Sequence, residues 1–68
     1  MYILNEKAKE LLRMYKLYTV AKTVGINTDT LSKMIKQNKP CIKITAYCIT
    51  KFLNSDAEIE DYFEKKGE

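Results

Sequence analysis

The stretch "TVAKTVGINTDTLSKMI", residues 19–35, decides the fold. One of only two glycines in the chain sits inside it, between two runs with helical spacing. Val20, Ala21 and Val24 share one face of the first run; Leu31, Met34 and Ile35 share one face of the second. Gly25 is placed to end the first helix, because a left-handed residue after a helix costs glycine nothing. Ile26 follows as an apolar plug for the turn. Thr28 is the expected cap of the next helix, and Asp29 in its first turn complements the helix dipole. Ala21 puts a small residue where the second helix crosses the first. Two short helices crossing steeply over a tight turn form a helix-turn-helix, here spanning about residues 17–37.

The flanking sequence predicts three more helices. Residues 5–16, "NEKAKELLRMYK", place Leu4, Ala8, Leu11, Leu12 and Tyr15 on one stripe, with Asn5 as cap and Lys7, Lys9, Arg13 and Lys16 largely off it. "NKP" breaks the chain at residues 38–40. "CIKITAYCITKFLN" is ambiguous, since its β-branched residues favour a strand locally. Ala46, Ile49, Phe52 and Leu53 nevertheless recur with helical spacing, which predicts a helix over 44–53 with Cys41 to Lys43 extended. Asp56 is the expected cap of a last helix, over about 56–66, with acids early and lysines late. Ile59, Tyr62 and Phe63 form its apolar face. Helices of 6–10 residues are unstable alone and gain stability by packing together. The expectation is therefore a compact all-α domain of five helices over residues 1–68.

Composition narrows the function classes. At 46% hydrophobic and 31% charged residues, the chain is globular rather than a disordered tail. No apolar run approaches the ~20 residues of a membrane span. The start, "MYILNEKAKE", lacks a basic leader and a cleavage site, so it is not read as a secretory signal. The cytoplasm of a bacterial host cell is the expected location. Cys41 and Cys48, with no histidine in the chain, do not suffice for a zinc site. Both are expected to be ordinary small residues, Cys48 being the better core candidate. No Gly-rich phosphate loop and no nucleophile with a neighbouring base is present, so an enzyme is not expected, nor a cofactor. Asp56, Glu58, Glu60 and Asp61 spread around a helix start rather than converge on a metal. Residues 1–53 hold ten Lys/Arg against three Asp/Glu, a balance of +7; residues 54–68 hold two against six, a balance of −4. A basic body suits a polyanionic partner, although a solvated surface has the same composition.

Val20, Ala21, Val24, Gly25, Ile26, Leu31 and Met34 together resemble the pattern of the lambda-repressor/Cro-like family, also called the XRE family. "TDTLSKMIKQNKP" resembles that family's recognition helix and following loop, and "ITAYCITKFLN" its fourth helix. The resemblance covers residues 5–54. It implies a DNA-binding domain whose recognition helix, residues 28–37, enters the major groove with its N-terminal residues at base edges. Carried over, Thr28, Asp29, Ser32 and Lys33 are the base-contacting candidates. Lys33 would donate to guanine O6 and N7, and Asp29 would accept from cytosine N4. The phosphate-contacting candidates are Tyr18, Thr19, Lys22, Lys36, Asn38, Lys39 and Lys43. Relatives often carry a glutamine or similar polar residue just before the second helix. This chain has Leu17 and Tyr18 there, which leaves that clamp to the Tyr18 hydroxyl.

The resemblance implies two functions. The first is a sequence-specific transcriptional regulator, similar to a small phage Cro protein or repressor, bound to a double-stranded DNA operator. A homodimer on a palindrome would strengthen it, and Ile59, Tyr62 and Phe63 are the candidate dimer or partner surface unless they close the core against the first helix. The second is a phage antirepressor that captures a repressor protein through the same fold. The acidic tail, Asp29 on the recognition helix and a net charge of only +3 suit that role.

Overall fold

Five helices and a small antiparallel sheet are arranged along residues 1–66, the part of the chain that the computed structural model describes. In chain order they are β1 (Tyr2–Leu4), α1 (Glu6–Leu12), α2 (Leu17–Val24), α3 (Thr28–Gln37), α4 (Lys43–Leu53), α5 (Ile59–Tyr62) and β2 (Phe63–Lys65). The helical expectation holds for most of the chain; the sheet departs from it.

The middle of the chain follows its apolar spacing. Val20, Ala21, Leu31 and Met34 are each at most 1% exposed, and Ala46 and Ile49 are fully buried beside them. α2 ends at Gly25, which is left-handed at φ 88°, ψ 31°. Its N–H and that of Ile26 both donate to the Ala21 carbonyl, at 2.8 and 2.9 Å, satisfying an orphan acceptor of the last turn. α3 ends the same way. Asn38 is left-handed at φ 55°, and the Lys39 N–H donates back to the Lys33 carbonyl at 3.3 Å. Asn27, not Thr28, caps α3, its side chain accepting from the Asp29 N–H at 2.8 Å. α2 starts at Leu17, with no side-chain cap.

α1 is shorter than its stripe. Asn5 caps it as expected, accepting from the Ala8 N–H at 2.9 Å. It stops at Leu12, where Met14 and Tyr15 bond back three residues to Leu11 and Leu12 and tighten the last turn. Tyr15 thereby leaves the core and meets the Phe52 ring edge-on at 5.1 Å. Lys9 is a correction of another kind. It is only 8% exposed, and its ammonium donates to the Asn38 side-chain oxygen, with Glu6 at 3.5 Å. A buried ammonium is tolerated when such acceptors replace its water.

The C-terminus departs most. The expected helix over 56–66 is a single turn, followed by an extended strand. Asp56 lies in the preceding turn, its N–H bonded to the Asn54 side chain at 3.0 Å. Glu58 caps the helical turn, with the Asp61 carboxylate accepting from the Glu58 N–H at 2.9 Å. Phe63 then becomes extended, and β2 pairs with β1 in the register Tyr2–Lys65, Ile3–Glu64, Leu4–Phe63. This pairing puts Leu4 (2% exposed) beside Phe63 (3%), so both close the bottom of the core. Ile59 (9%), Tyr62 (5%) and Phe63 are all buried. They are core residues, and the apolar partner face expected of them is absent from the surface. Cys41 and Cys48 also exchange roles. Cys41 is buried and bridges to Tyr2, and burial pushes its thiol up to about 11; Cys48 is half-buried.

Candidate nucleic-acid interface

The expected base-contacting residues lie on the outer side of α3, because the inner side is committed. Leu31, Met34 and Ile35 point into the core, so the intervening positions must face outward. Thr28, Asp29, Lys33 and Lys36 are exposed, and Ser32 is half-buried. With Asn27 acting as the cap, Thr28 stands at the first helical position rather than closing the helix end. Asp29 and Lys33, one turn apart, form an ion pair at 3.3 Å between exposed side chains. An acid preceding a lysine by four residues is the favourable order along a helix.

Ser32 and Lys36 line a shallow groove of about 340 Å³ between α3 and the α1–α2 junction. Arg13, Tyr15, Leu17 and Ile35 complete its wall. The groove floor is apolar, and Arg13 and Lys36 supply its positive charges. Arg13 was not among the sequence candidates. Its signal was only its place off the α1 stripe, which it shared with three lysines.

The outer side of α2 carries Tyr18, Thr19 and Lys22, all exposed. Lys22 lies over the Tyr18 ring at 5.9 Å, one turn along. Both side chains carry a donor, the tyrosine hydroxyl and the ammonium, and both are open to solvent. α2 and α3 pack directly on one another across Gly25 and Ile26, so these donors and the α3 donors belong to one rigid pair of helices.

The loop after α3 keeps Lys39 exposed and gives Asn38 a task the sequence did not disclose. The Asn38 carbonyl oxygen is held by Lys9, which leaves its amide NH₂ as the free donor. Lys43 is exposed too, but it opens α4 and lines a different groove, with Tyr2, Tyr47 and Glu60. The structure therefore brings the α2, α3 and 38–39 candidates onto adjoining elements and sets Lys43 apart from the Ser32–Lys36 groove.

No helix among the described residues is long and apolar enough to cross a membrane. Among the same residues, no group of three or more His, Cys, Asp or Glu side chains converges. Comparisons with family models, with curated proteins and with solved structures gave no match.

Proposed function

We propose that this chain is a sequence-specific DNA-binding regulator that lays α3 in the major groove, using α2 and α3 as a helix-turn-helix. The observation that carries the reading is the α2–Gly25–α3 unit. Its two helices are packed through Val20, Ala21, Leu31 and Met34, and its outer side is left to hydroxyls, an amide, cations and the single carboxylate of Asp29. A helix pair built only for the core has no need of a tyrosine that is 65% exposed beside a lysine at the start of its first helix.

In this reading Lys33 and Asp29 meet base edges, with Thr28 at the tip of the helix and Ser32 on its flank. The Asp29–Lys33 ion pair does not block the contact. An exposed pair of this kind is worth about 0–1 kcal/mol, whereas a good bidentate base contact is worth about 1–3 kcal/mol. The pair is therefore exchanged for base contacts at little cost. Tyr18, Thr19, Lys22, Lys36, Asn38 and Lys39 serve the phosphates, joined by Arg13 at the groove rim.

A second reading has its own observation. The apolar floor of the Arg13–Leu17–Ile35 groove suits a protein side chain better than a phosphate. This is the reading in which the chain captures a repressor protein, as an antirepressor does. One experiment separates the two. Fluorescence anisotropy is measured with the DNA flanking the chain's own gene and with a scrambled duplex, at about 50 and 200 mM salt. Regulation requires a preference for the flanking DNA well beyond tenfold at both salts. Weak binding without preference, lost at the higher salt, rejects the DNA reading in favour of the protein partner.

A further inference from the structure

The groove between α3 and the α1–α2 junction joins an apolar lining to a basic rim. Tyr15, Leu17 and Ile35 supply the lining, and its volume of about 340 Å³ has room for a bulky apolar side chain. Tyr15 is braced from behind its place in the wall by Phe52, edge-on at 5.1 Å. A bare phosphate seated here would lose its water against this lining and find no partner in it.

The rim adds a charge requirement. Arg13 is the only arginine among the chain's twelve basic residues, and it stands at this groove with Lys36. Neither makes an ion pair among the described residues, whereas Lys33 is paired with Asp29 and Lys9 with Glu6. A guanidinium holds a carboxylate through two parallel N–H donors, and an ammonium adds a point charge. The groove therefore calls for an apolar side chain with acids beside it.

The chain does not supply that occupant from its own surface. Among the described residues, no large apolar residue that is exposed has an acid within two places in the sequence. The stretch of matching composition, "AEIEDYFE" at residues 57–64, keeps Ile59, Tyr62 and Phe63 in the core. A second copy thus has nothing of this chemistry to insert, and the occupant is another protein.

We propose that the groove captures an acidic segment of a partner protein, seating one bulky apolar side chain among Tyr15, Leu17 and Ile35 while flanking carboxylates bond to Arg13 and Lys36. The proposal rests on the protein-capture reading and names the partner's chemistry.

The test is fluorescence anisotropy of labelled peptides titrated with the full chain, without DNA, at about 50 mM salt. The first peptide has a phenylalanine flanked on both sides by glutamates. A second has serine for the phenylalanine, and a third has glutamine for every glutamate. The first should saturate with a Kd below about 1 mM, and the other two should bind at least about fivefold more weakly. Arg13→Gln should weaken the first peptide by about fivefold with unchanged far-ultraviolet circular dichroism, since Arg13 is exposed. Lys65→Gln, an equal loss of charge on the exposed side of β2, should leave it unchanged. Equal binding of the glutamine peptide overturns the acidic partner but leaves capture of a protein intact. Failure of every peptide up to about 1 mM removes the groove as a site and the capture reading with it. Equal losses from Arg13→Gln and Lys65→Gln reduce the binding to general charge attraction and overturn the proposal. So does self-association of the unliganded chain that Arg13→Gln abolishes, which seats a second copy in the groove.

Discussion

Replacing Gly25 with alanine tests the turn on which the fold and the proposed function both depend. Gly25 sits at φ 88°, ψ 31°, a conformation that side chains with a Cβ rarely adopt. A Cβ built there meets no atom of the described residues within 4 Å, so the substitution carries no steric term. What remains is backbone strain, about 1–2 kcal/mol for an L-residue held left-handed. Against it stands a gain of about 0.4–1 kcal/mol, because alanine restricts the unfolded chain more than glycine does. The net expectation is a loss of about 1 kcal/mol, which lowers the melting temperature by roughly 4–8 °C in a domain of this size. Gly25→Asn should lose less, since asparagine tolerates this region better than alanine. Thermal and urea unfolding followed by far-ultraviolet circular dichroism measure both variants. An unchanged melting temperature for Gly25→Ala would show that the turn is not held left-handed. A loss beyond about 3 kcal/mol would show that the space around position 25 is not open, because strain alone does not reach that value.

Other substitutions probe the remaining parts. Asn38→Gly keeps the left-handed turn but removes the acceptor of the buried Lys9 ammonium; urea titration should show a loss of about 2 kcal/mol. Adding Lys9→Met should recover at least half of it, and no recovery would mean that Lys9 finds its partner elsewhere. Thr50 is fully buried, and its hydroxyl has no hydrogen-bond partner among the described residues. Thr50→Val should therefore be neutral or stabilise by up to about 1 kcal/mol, and a clear drop in melting temperature would refute the unpaired hydroxyl. On DNA, Lys33→Ala should weaken binding to the preferred duplex by about 1–3 kcal/mol and scrambled DNA far less. Lys39→Ala should weaken both alike and shallow the salt slope. Equal losses from Lys33→Ala on every sequence would remove that residue from base reading.

The α2–α3 segment was legible because each signal there is local. Apolar residues recur within a turn or two, and one glycine stands where the helix must end. The same logic misled at the C-terminus. "AEIEDYFEKK" carries its acids and lysines in helical order, yet the segment after Tyr62 is a strand because Tyr2–Leu4 offers it a ladder. That partner lies about sixty residues away in the chain, beyond the reach of any periodicity. Tyr62 and Phe63 were recognised as apolar, but which neighbours would cover them depended on that pairing. Lys9 was hidden for a different reason. Lysine is rarely buried without a partner, and its partner Asn38 lay 29 residues on, in a loop whose left-handed backbone no local pattern announces. Of the proposed interface, the exposed positions of α3 followed directly from its buried ones. Arg13 and the groove it lines did not, because they depend on where α1 stops.

These two distant contacts converge on one segment. The loop of residues 38–42 is held at its start by the Lys9 ammonium on Asn38 and at Cys41 by a pair of backbone bonds to Tyr2, each 2.8 Å. Both anchors come from the first nine residues of the chain. β1 is itself held on its other edge by β2, with the Lys66 N–H donating to the Met1 carbonyl at 2.8 Å. The terminal sheet therefore does more than close the core: through Tyr2 it fixes the exit path of α3, and through Lys9 the left-handed residue that begins it. Lys39 projects from between these two anchors. A phosphate contact made from such a loop requires little further ordering of backbone on binding, and that ordering is a main cost of recognition by flexible segments. In the DNA reading, the strands that the sequence did not disclose contribute to affinity without touching DNA.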